Sequence, residues 1–207
     1  MNITRTYSAG DKGRVRRLTN LSGAWVDVSP ANNLVIPCFP AEFYDVETDI
    51  TDPNKVYVVG EMAPPGVGPQ TFYGIAVSDD AGVTWNQPYD LAGGDYTSLY
   101  FTPTPPAPFY KFYEVSVVDA NTIYACGDSG WVVKSIDGGQ SFNKCTQLPP
   151  VLLWGTAVIP PPPPLAIRSV TALHFITPLI GVVACYGNVF KTIDGGVTWI
   201  HLNGGLP

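Results

Sequence analysis

The sequence predicts an all-β protein assembled from a repeated four-stranded antiparallel unit. Three observations carry that expectation. Short apolar or alternating runs, bounded by turn residues, dominate the 207 residues, and no amphipathic helical pattern is present. Glycine and proline number 21 each, and both interrupt helices while serving turns and strand edges. An eight-residue pattern returns at a fixed interval, which makes the repeat the first feature to explain.

The pattern is Ser/Thr-x-Asp-x-Gly-x-Ser/Thr-aromatic. It is formed by Ser78, Asp80, Gly82, Thr84 and Trp85, then by Ser135, Asp137, Gly139, Ser141 and Phe142. The third copy is Thr192, Asp194, Gly196, Thr198 and Trp199. Asp80, Asp137 and Asp194 follow one another at intervals of 57 residues. A worn copy lies 60 residues before the first, with Asn20 for the aspartate, Ser22 for the glycine, and Trp25 retained. The chemistry suits a tight hairpin. The carboxylate accepts hydrogen bonds from turn N–H groups and from the hydroxyl. The glycine supplies a positive φ, and the aromatic ring covers the hairpin. A carboxylate so placed also suggests calcium or catalysis. Three copies in successive units cannot all be one active site, so the motif reads as structural.

The elements around each copy repeat as well. First strands are expected at Phe43–Val46, Phe112–Val115 and Ser169–Ala172, and second strands at Lys55–Gly60, Thr122–Gly127 and Gly181–Cys185. Third strands run through Phe72–Val77, Trp131–Lys134 and Asn188–Lys191 into the box. Fourth strands leave it at Thr84–Gln87, Ser141–Lys144 and Thr198–Leu202. Asp52-Pro53-Asn54 and Asp119-Ala120-Asn121 are turns between first and second strands. Four strands per unit make a β-propeller blade.

The first unit offers only third and fourth strands, Gly13–Leu18 and Ala24–Val28. The expected organisation is therefore a partial blade at 1–30 and blades at 41–91, 109–148 and 166–204. Proline-rich insertions lie at 102–108 and 159–165. That is about three and a half blades, below the usual ~4–8, and it leaves strand edges open. The expectation is part of a larger propeller, or one completed by another chain.

The eight-residue motif resembles the Asp-box of BNR-repeat propellers. The run Tyr124–Gly139, with Asp128-Ser129-Gly130-Trp131 before the box, resembles the repeat of the Ycf48-like photosystem II assembly factors. The ending Trp199–Pro207 resembles blade junctions of that group and of Asp-box xyloglucanases. The resemblance implies a propeller that assembles polypeptide partners.

The residues bound the function more than they identify it. Net charge is −6, yet five of eleven basic residues fall in the first seventeen positions, so the body is acidic and unsuited to general nucleic-acid binding. Arg14, Arg16 and Arg17 are candidates for docking on an acidic partner. Pro105, Pro106, Phe109, Tyr110 and Trp154 are candidates for an apolar partner surface. No secretory signal and no membrane-spanning run is visible, which favours a cytoplasmic or virion setting. Cys38, Cys126, Cys145 and Cys185 lack zinc-type spacing, and Cys126 and Cys185 read as buried thiols. A sialidase needs an arginine triad, but beyond the N-terminal cluster only Arg168 remains. A glycosidase needs two inner carboxylates, for which Asp45, Glu47, Asp49 and Glu114 are candidates. His174 and His201 stand near no metal or triad pattern, and no phosphate loop is present. No cofactor, metal or catalytic set is expected. The expected function is a non-catalytic scaffold for protein–protein interaction or assembly, including a phage tail or capsid component. Its partners would be proteins or further copies of the chain. A carbohydrate-active propeller, hydrolytic or glycan-binding, is the alternative.

Overall fold

The computed structural model describes residues 5–10, 14–19, 24–29, 39–63, 74–86, 111–146, 148–149, 169–185 and 187–202. The described residues form four antiparallel sheets, each a meander. The first contains β1 (Arg5–Gly10), β2 (Arg14–Thr19) and β3 (Val26–Asp27). The second contains β4 (Phe39–Thr48), β5 (Val56–Ala63) and β6 (Ile75–Ser78), and a Val77–Asn86 bridge adds a fourth rung. The third contains β7 (Phe112–Val117), β8 (Ile123–Gly127), β9 (Val132–Ser135) and β10 (Asn143–Lys144). The fourth contains β11 (Ala172–Phe175), β12 (Gly181–Cys185), β13 (Asn188–Thr192) and β14 (Ile200–His201).

The first sheet differs from the sequence expectation. Tyr7 on β1 pairs with Arg17 on β2, as Tyr57 pairs with Val77 and Tyr124 with Lys134. By that register β1 is a second strand, so among the described residues the first blade has three strands, the second to the fourth. The sequence hid β1 because Thr6 and Ser8 stand where the later second strands carry Val56 and Val58, or Ile123 and Ala125.

The core is a series of seams between consecutive blades. Val15, Val28, Phe43, Val56, Val58, Ala76 and Trp85 fill the first seam. Tyr57, Val59, Ile75 and Val77 of the second blade meet Val115, Ile123, Ala125, Val133 and Phe142 of the third. Tyr124, Cys126 and Val132 of the third meet Leu173, Phe175, Val183, Phe190 and Trp199 of the fourth. Tyr124 stacks on Phe175 with centroids 3.5 Å apart and planes 4° from parallel. The second strands β5 and β8, with a blade on either side, are buried over Val56–Val59 and Ile123–Gly127, which is why near-continuous apolar runs replace alternation there.

The turns repeat too. Asp52 Oδ1 accepts from the Asn54 N–H (2.9 Å), Asp119 Oδ1 from Asn121 N–H (2.9 Å), and Thr177 Oγ1 from Ile180 N–H (3.0 Å). These side chains close the first-to-second-strand turn in three blades by the local bonding that favours Asx and ST turns.

Candidate functional site

The three boxes have one geometry. The Ser78, Ser135 and Thr192 hydroxyls each donate to Oδ1 of their aspartate at 2.8 Å. They accept from the box glycine N–H at 2.8, 2.8 and 2.9 Å. The same Oδ1 accepts from Thr84, Ser141 and Thr198 N–H at 2.7, 2.9 and 2.8 Å. Oδ2 of each aspartate accepts the hydroxyl of that Ser or Thr. Both carboxylate oxygens are therefore spent inside the hairpin. The Thr198 and Thr192 hydrogen bonds hold Asp194 at about 2. At Asp80 and Asp137 burial pushes the carboxyl up, but the combined hydrogen bonds outweigh it and hold it below the ordinary range. Ionised and hydrogen-bonded through both oxygens, these groups hold the hairpin together.

The box glycines also sit at the seams. Gly139 has φ +85°, and a Cβ there would meet the Tyr57 ring of the preceding blade at 2.7 Å. The first box has Ala81 rather than glycine before Gly82, and Ala81 still takes φ 64°. The indole N–H of Trp85 donates to the Val28 carbonyl (2.7 Å) and that of Trp199 to the Thr146 carbonyl (2.9 Å), each on the preceding blade. The box is thus a hairpin closure and a seam anchor together.

A second set of polar links lies on the inner strands. Asp45 Oδ2 accepts from Val115 N–H (3.0 Å), and Glu47 Oε2 from Val117 N–H (2.7 Å). One blade on, Glu114 Oε2 accepts from Leu173 N–H (3.0 Å) and Ser116 Oγ from Phe175 N–H (3.4 Å). The physical need is plain. Alternate N–H groups of an innermost strand point away from its own sheet, and a side-chain acceptor from the preceding blade satisfies them. Burial pushes the Glu47 and Glu114 carboxyls up, with Asp45 adding like charge, while the N–H bonds and His174 pull the other way. His174 is exposed on β11.

The candidate residues are distributed as follows. Asp49 is buried and bonds Thr51 and Asp52 N–H in a turn, apart from the inner-strand links. Arg17 is no free basic group: its guanidinium donates to the Ala81 carbonyl at 2.5 Å across the first seam. Arg14 and Arg16 are exposed and flank Asp27, whose carboxyl is lowered first by the Ser29 hydroxyl and then by those cations. Trp25 is 45% exposed, unlike Trp85 and Phe142, because no described blade precedes its own. Asn20, Cys38, Pro105, Pro106, Phe109, Tyr110 and Trp154 lie outside the described residues. Cys126 and Cys185 are buried free thiols, and Cys145 is a free thiol at the third seam. His201 shares a 2.9 Å hydrogen bond with Asn188 Oδ1.

Sequence reasoning missed the tyrosine links. Tyr7 donates to the Pro53 carbonyl (3.4 Å), Tyr57 to that of Gly138 (3.2 Å), and Tyr124 to those of Pro178 (2.8 Å) and Gly195 (3.3 Å). The signal was a tyrosine at one position of three consecutive second strands. Among the described residues no group of three or more His, Cys, Asp or Glu side chains could hold a metal ion.

No family model and no curated protein matches this chain. Among solved structures it is similar to an ancestral GH74 enzyme, at 15% identity and TM-score 0.61 over 98% of this chain and 24% of that one. It is similar to the GH74 xyloglucanase from Xanthomonas campestris, at 14% identity and TM-score 0.59 over 98% and 28%. It also matches Ycf48 from Cyanidioschyzon merolae, at 19% identity and TM-score 0.46 over 77% and 36%. The chain thus spans 24–36% of the length of these three proteins. With four antiparallel sheets in series and three complete boxes on a constant interval, the chain has the fold of part of a β-propeller.

Proposed function

We propose that this chain is a non-catalytic propeller module that works by holding polypeptide partners in an assembly. One observation carries the reading: the inner-strand carboxylates are occupied as acceptors for the next blade. Asp45, Glu47 and Glu114 each cap a backbone N–H across a seam, at 3.0, 2.7 and 3.0 Å. A nucleophile or general base that had to turn away from that N–H in order to act would release it, at a cost of about 1–3 kcal/mol. The finer form of the reading is a virion part, in tail or capsid. A charged content of 14% with 21 glycines and 21 prolines supports it.

A carbohydrate-active role is the second reading, and one feature favours it. Tyr44 and Tyr113, with ring centroids 5.4 Å apart, lie on the inner strands that also carry Glu47 and Glu114, whose carboxyls burial pushes up. Aromatic faces with a protonatable carboxyl are the components of a glycoside site.

The test sets the chain against xyloglucan and unbranched β-glucans and reads reducing ends, alongside peptide and oligosaccharide binding arrays. The expected result is no release of reducing ends, with peptide binding and no oligosaccharide binding. Reducing-end release that Glu47→Gln or Glu114→Gln abolishes would overturn the proposal.

A further inference from the structure

The seven most exposed large hydrophobic side chains among the described residues share one end of the sheets. Each of the second to fourth blades carries its first-to-second-strand turn and its box hairpin to that end, and a backbone hydrogen bond joins the two. Ala81 N–H donates to the Asn54 carbonyl (2.7 Å), Gly138 N–H to that of Asn121 (2.9 Å) and Gly195 N–H to that of Leu179 (2.9 Å). Ile50, Ile176 and Leu179 lie in the turns. Ile136 and Ile193 stand between the hydroxyl residue and the aspartate of their boxes, and Val83 and Val197 follow the box glycine. Exposure falls from 89% at Ile50 and 73% at Ile176 to 55% at Leu179 and Ile193, and every other large hydrophobic side chain described is below that.

Neighbouring blades do not cover this end. The seams bury the faces of the sheets, whereas these side chains lie at their tips. Val83 and Ile136 belong to the second and third blades, which have a described blade on either side, and they remain 56% and 62% exposed. Nor does the hairpin require apolar residues here, since Asp79 and Gln140 fill the same two positions in other copies. The third and fourth blades are joined at this end. The Tyr124 hydroxyl and the Lys134 ammonium both donate to the Pro178 carbonyl (2.8 and 3.2 Å), which draws the strand leading to Ile136 against the turn that carries Ile176 and Leu179. Exposed apolar side chains gathered on a polar rim mark an interaction surface.

The charge at this end is negative. Asp52, Asp79, Asp80, Asp119, Asp137 and Asp194 reach solvent in the turns and boxes of the second to fourth blades, against Lys55, Lys134 and Lys191. Lys55 is already paired with Asp79 at 3.5 Å, and Lys134 lies over the Tyr124 ring, 5.2 Å from its centroid. A second copy of this end, or an anionic bilayer, would set like charge against like.

We propose that this box end of the third and fourth blades docks a partner polypeptide segment in which apolar side chains are interspersed with lysine or arginine. The proposal rests on the scaffold reading and names the chemistry of its partner. Apolar side chains of the segment cover Ile136, Ile176, Ile193 and Val197, and its cations meet the surrounding aspartates. The apolar contact supplies affinity, and the charge steers the approach and selects the partner.

The test is fluorescence anisotropy with a labelled peptide of alternating leucine and lysine. Peptides of alternating leucine and glutamate, and of alternating serine and lysine, are the comparisons. The leucine–lysine peptide is expected to bind about tenfold or more tightly than either, and less tightly as salt is raised. Ile176→Ser together with Ile193→Ser, both at exposed positions, is expected to weaken that binding about tenfold. Val189→Ser, at the far end of β13, leaves it unchanged. Circular dichroism of each variant checks that the fold is retained. Binding indifferent to the paired isoleucine substitutions overturns the docking surface, as does equal binding of the glutamate or the serine peptide. Adsorption to phosphatidylcholine vesicles without peptide binding, lost in the same paired variant, also overturns it, in favour of a membrane surface. Peptide arrays separate this failure from that of the scaffold reading. Array peptides still bound by the paired variant sink the docking surface alone, and an array on which no peptide binds sinks the scaffold reading with it.

Discussion

The hydroxyl of Tyr57 donates to the carbonyl oxygen of Gly138, one blade further round and 81 residues along the chain, at 3.2 Å. Both groups are buried, and burial drives the phenol well above its ordinary range, so it stays a donor at every accessible pH. Tyr124 repeats the link with two acceptors, the carbonyls of Pro178 and Gly195.

Removing the Tyr57 hydroxyl leaves the buried Gly138 carbonyl without that partner, whereas the Pro178 carbonyl keeps Lys134 Nζ at 3.2 Å when Tyr124 loses its hydroxyl. Tyr57→Phe is expected to lose about 1–2 kcal/mol and Tyr124→Phe about 1 kcal/mol or less. Urea unfolding checks both. Equal midpoints for wild type and Tyr57→Phe would mean that water replaces the hydroxyl and the seam is looser than the geometry implies.

The boxes give a second expectation. Asp137 accepts from Ser141 N–H and from two hydroxyls. Asp137→Ala removes all three bonds and should lose about 1–3 kcal/mol, with Asp137→Asn in between. Thermal unfolding at neutral pH reads the order wild type, Asn, Ala.

Backbone conformation separates two neighbouring box positions. Gly139→Ala adds a methyl at φ +85° that strikes the Tyr57 ring, and should lose about 2 kcal/mol or more. Ala81→Gly removes a methyl already held at φ 64°. The relief of about 1 kcal/mol is offset by a similar gain in unfolded-chain entropy, leaving little change. Chemical unfolding of the two variants side by side checks the contrast.

Acid and base act on different groups. Asp194 is held at about 2, below its unfolded value near 3.8, and Asp80 and Asp137 are lowered too. Their stabilisation is present above about pH 4 and is lost as pH falls through the folded values. Glu47 and Glu114 are raised by burial, so their contribution runs the other way. It is present below the ordinary glutamate value and lost as pH rises through the raised one. Glu114→Gln keeps an acceptor for Leu173 N–H and removes that loss. Unfolding midpoints measured from pH 3 to 8 should show this variant gaining on wild type as pH rises above about 4.5. A constant difference over that range would rule out the raised glutamate.

The cysteines should be silent. Burial holds Cys145 at about 12 and Cys126 well above the usual thiol value. Iodoacetamide at pH 8 is expected to leave both unmodified in the folded chain and to label both in denaturant, as mass spectrometry would show.

The sequence by itself determined the repeat, the all-β class and the box hairpins. Those features are local: Asp80 bonds only residues within four positions of it, so a short pattern carries the whole arrangement. Most second strands were equally legible, because Ile123–Gly127 is buried from end to end and therefore apolar throughout. Only the tertiary structure decided what the inner-strand acids do. Asp45 and Glu114 match between blades in the sequence, which points to repeat geometry more than catalysis, but their acceptor role emerges only when Val115 and Leu173 arrive from the next blade. The structure also revealed β1, whose Thr6 and Ser8 face outward with no described blade before them and so leave no apolar signature. It decided the fate of Arg17 and Trp25 in the same way: one guanidinium is drawn into a seam, and one indole is left open. The physical reason is common to all of these. A propeller places its polar links and its exposed faces between blades, with the tyrosine, tryptophan and carboxylate links here joining residues 46 to 81 apart in sequence, where no local pattern can record them.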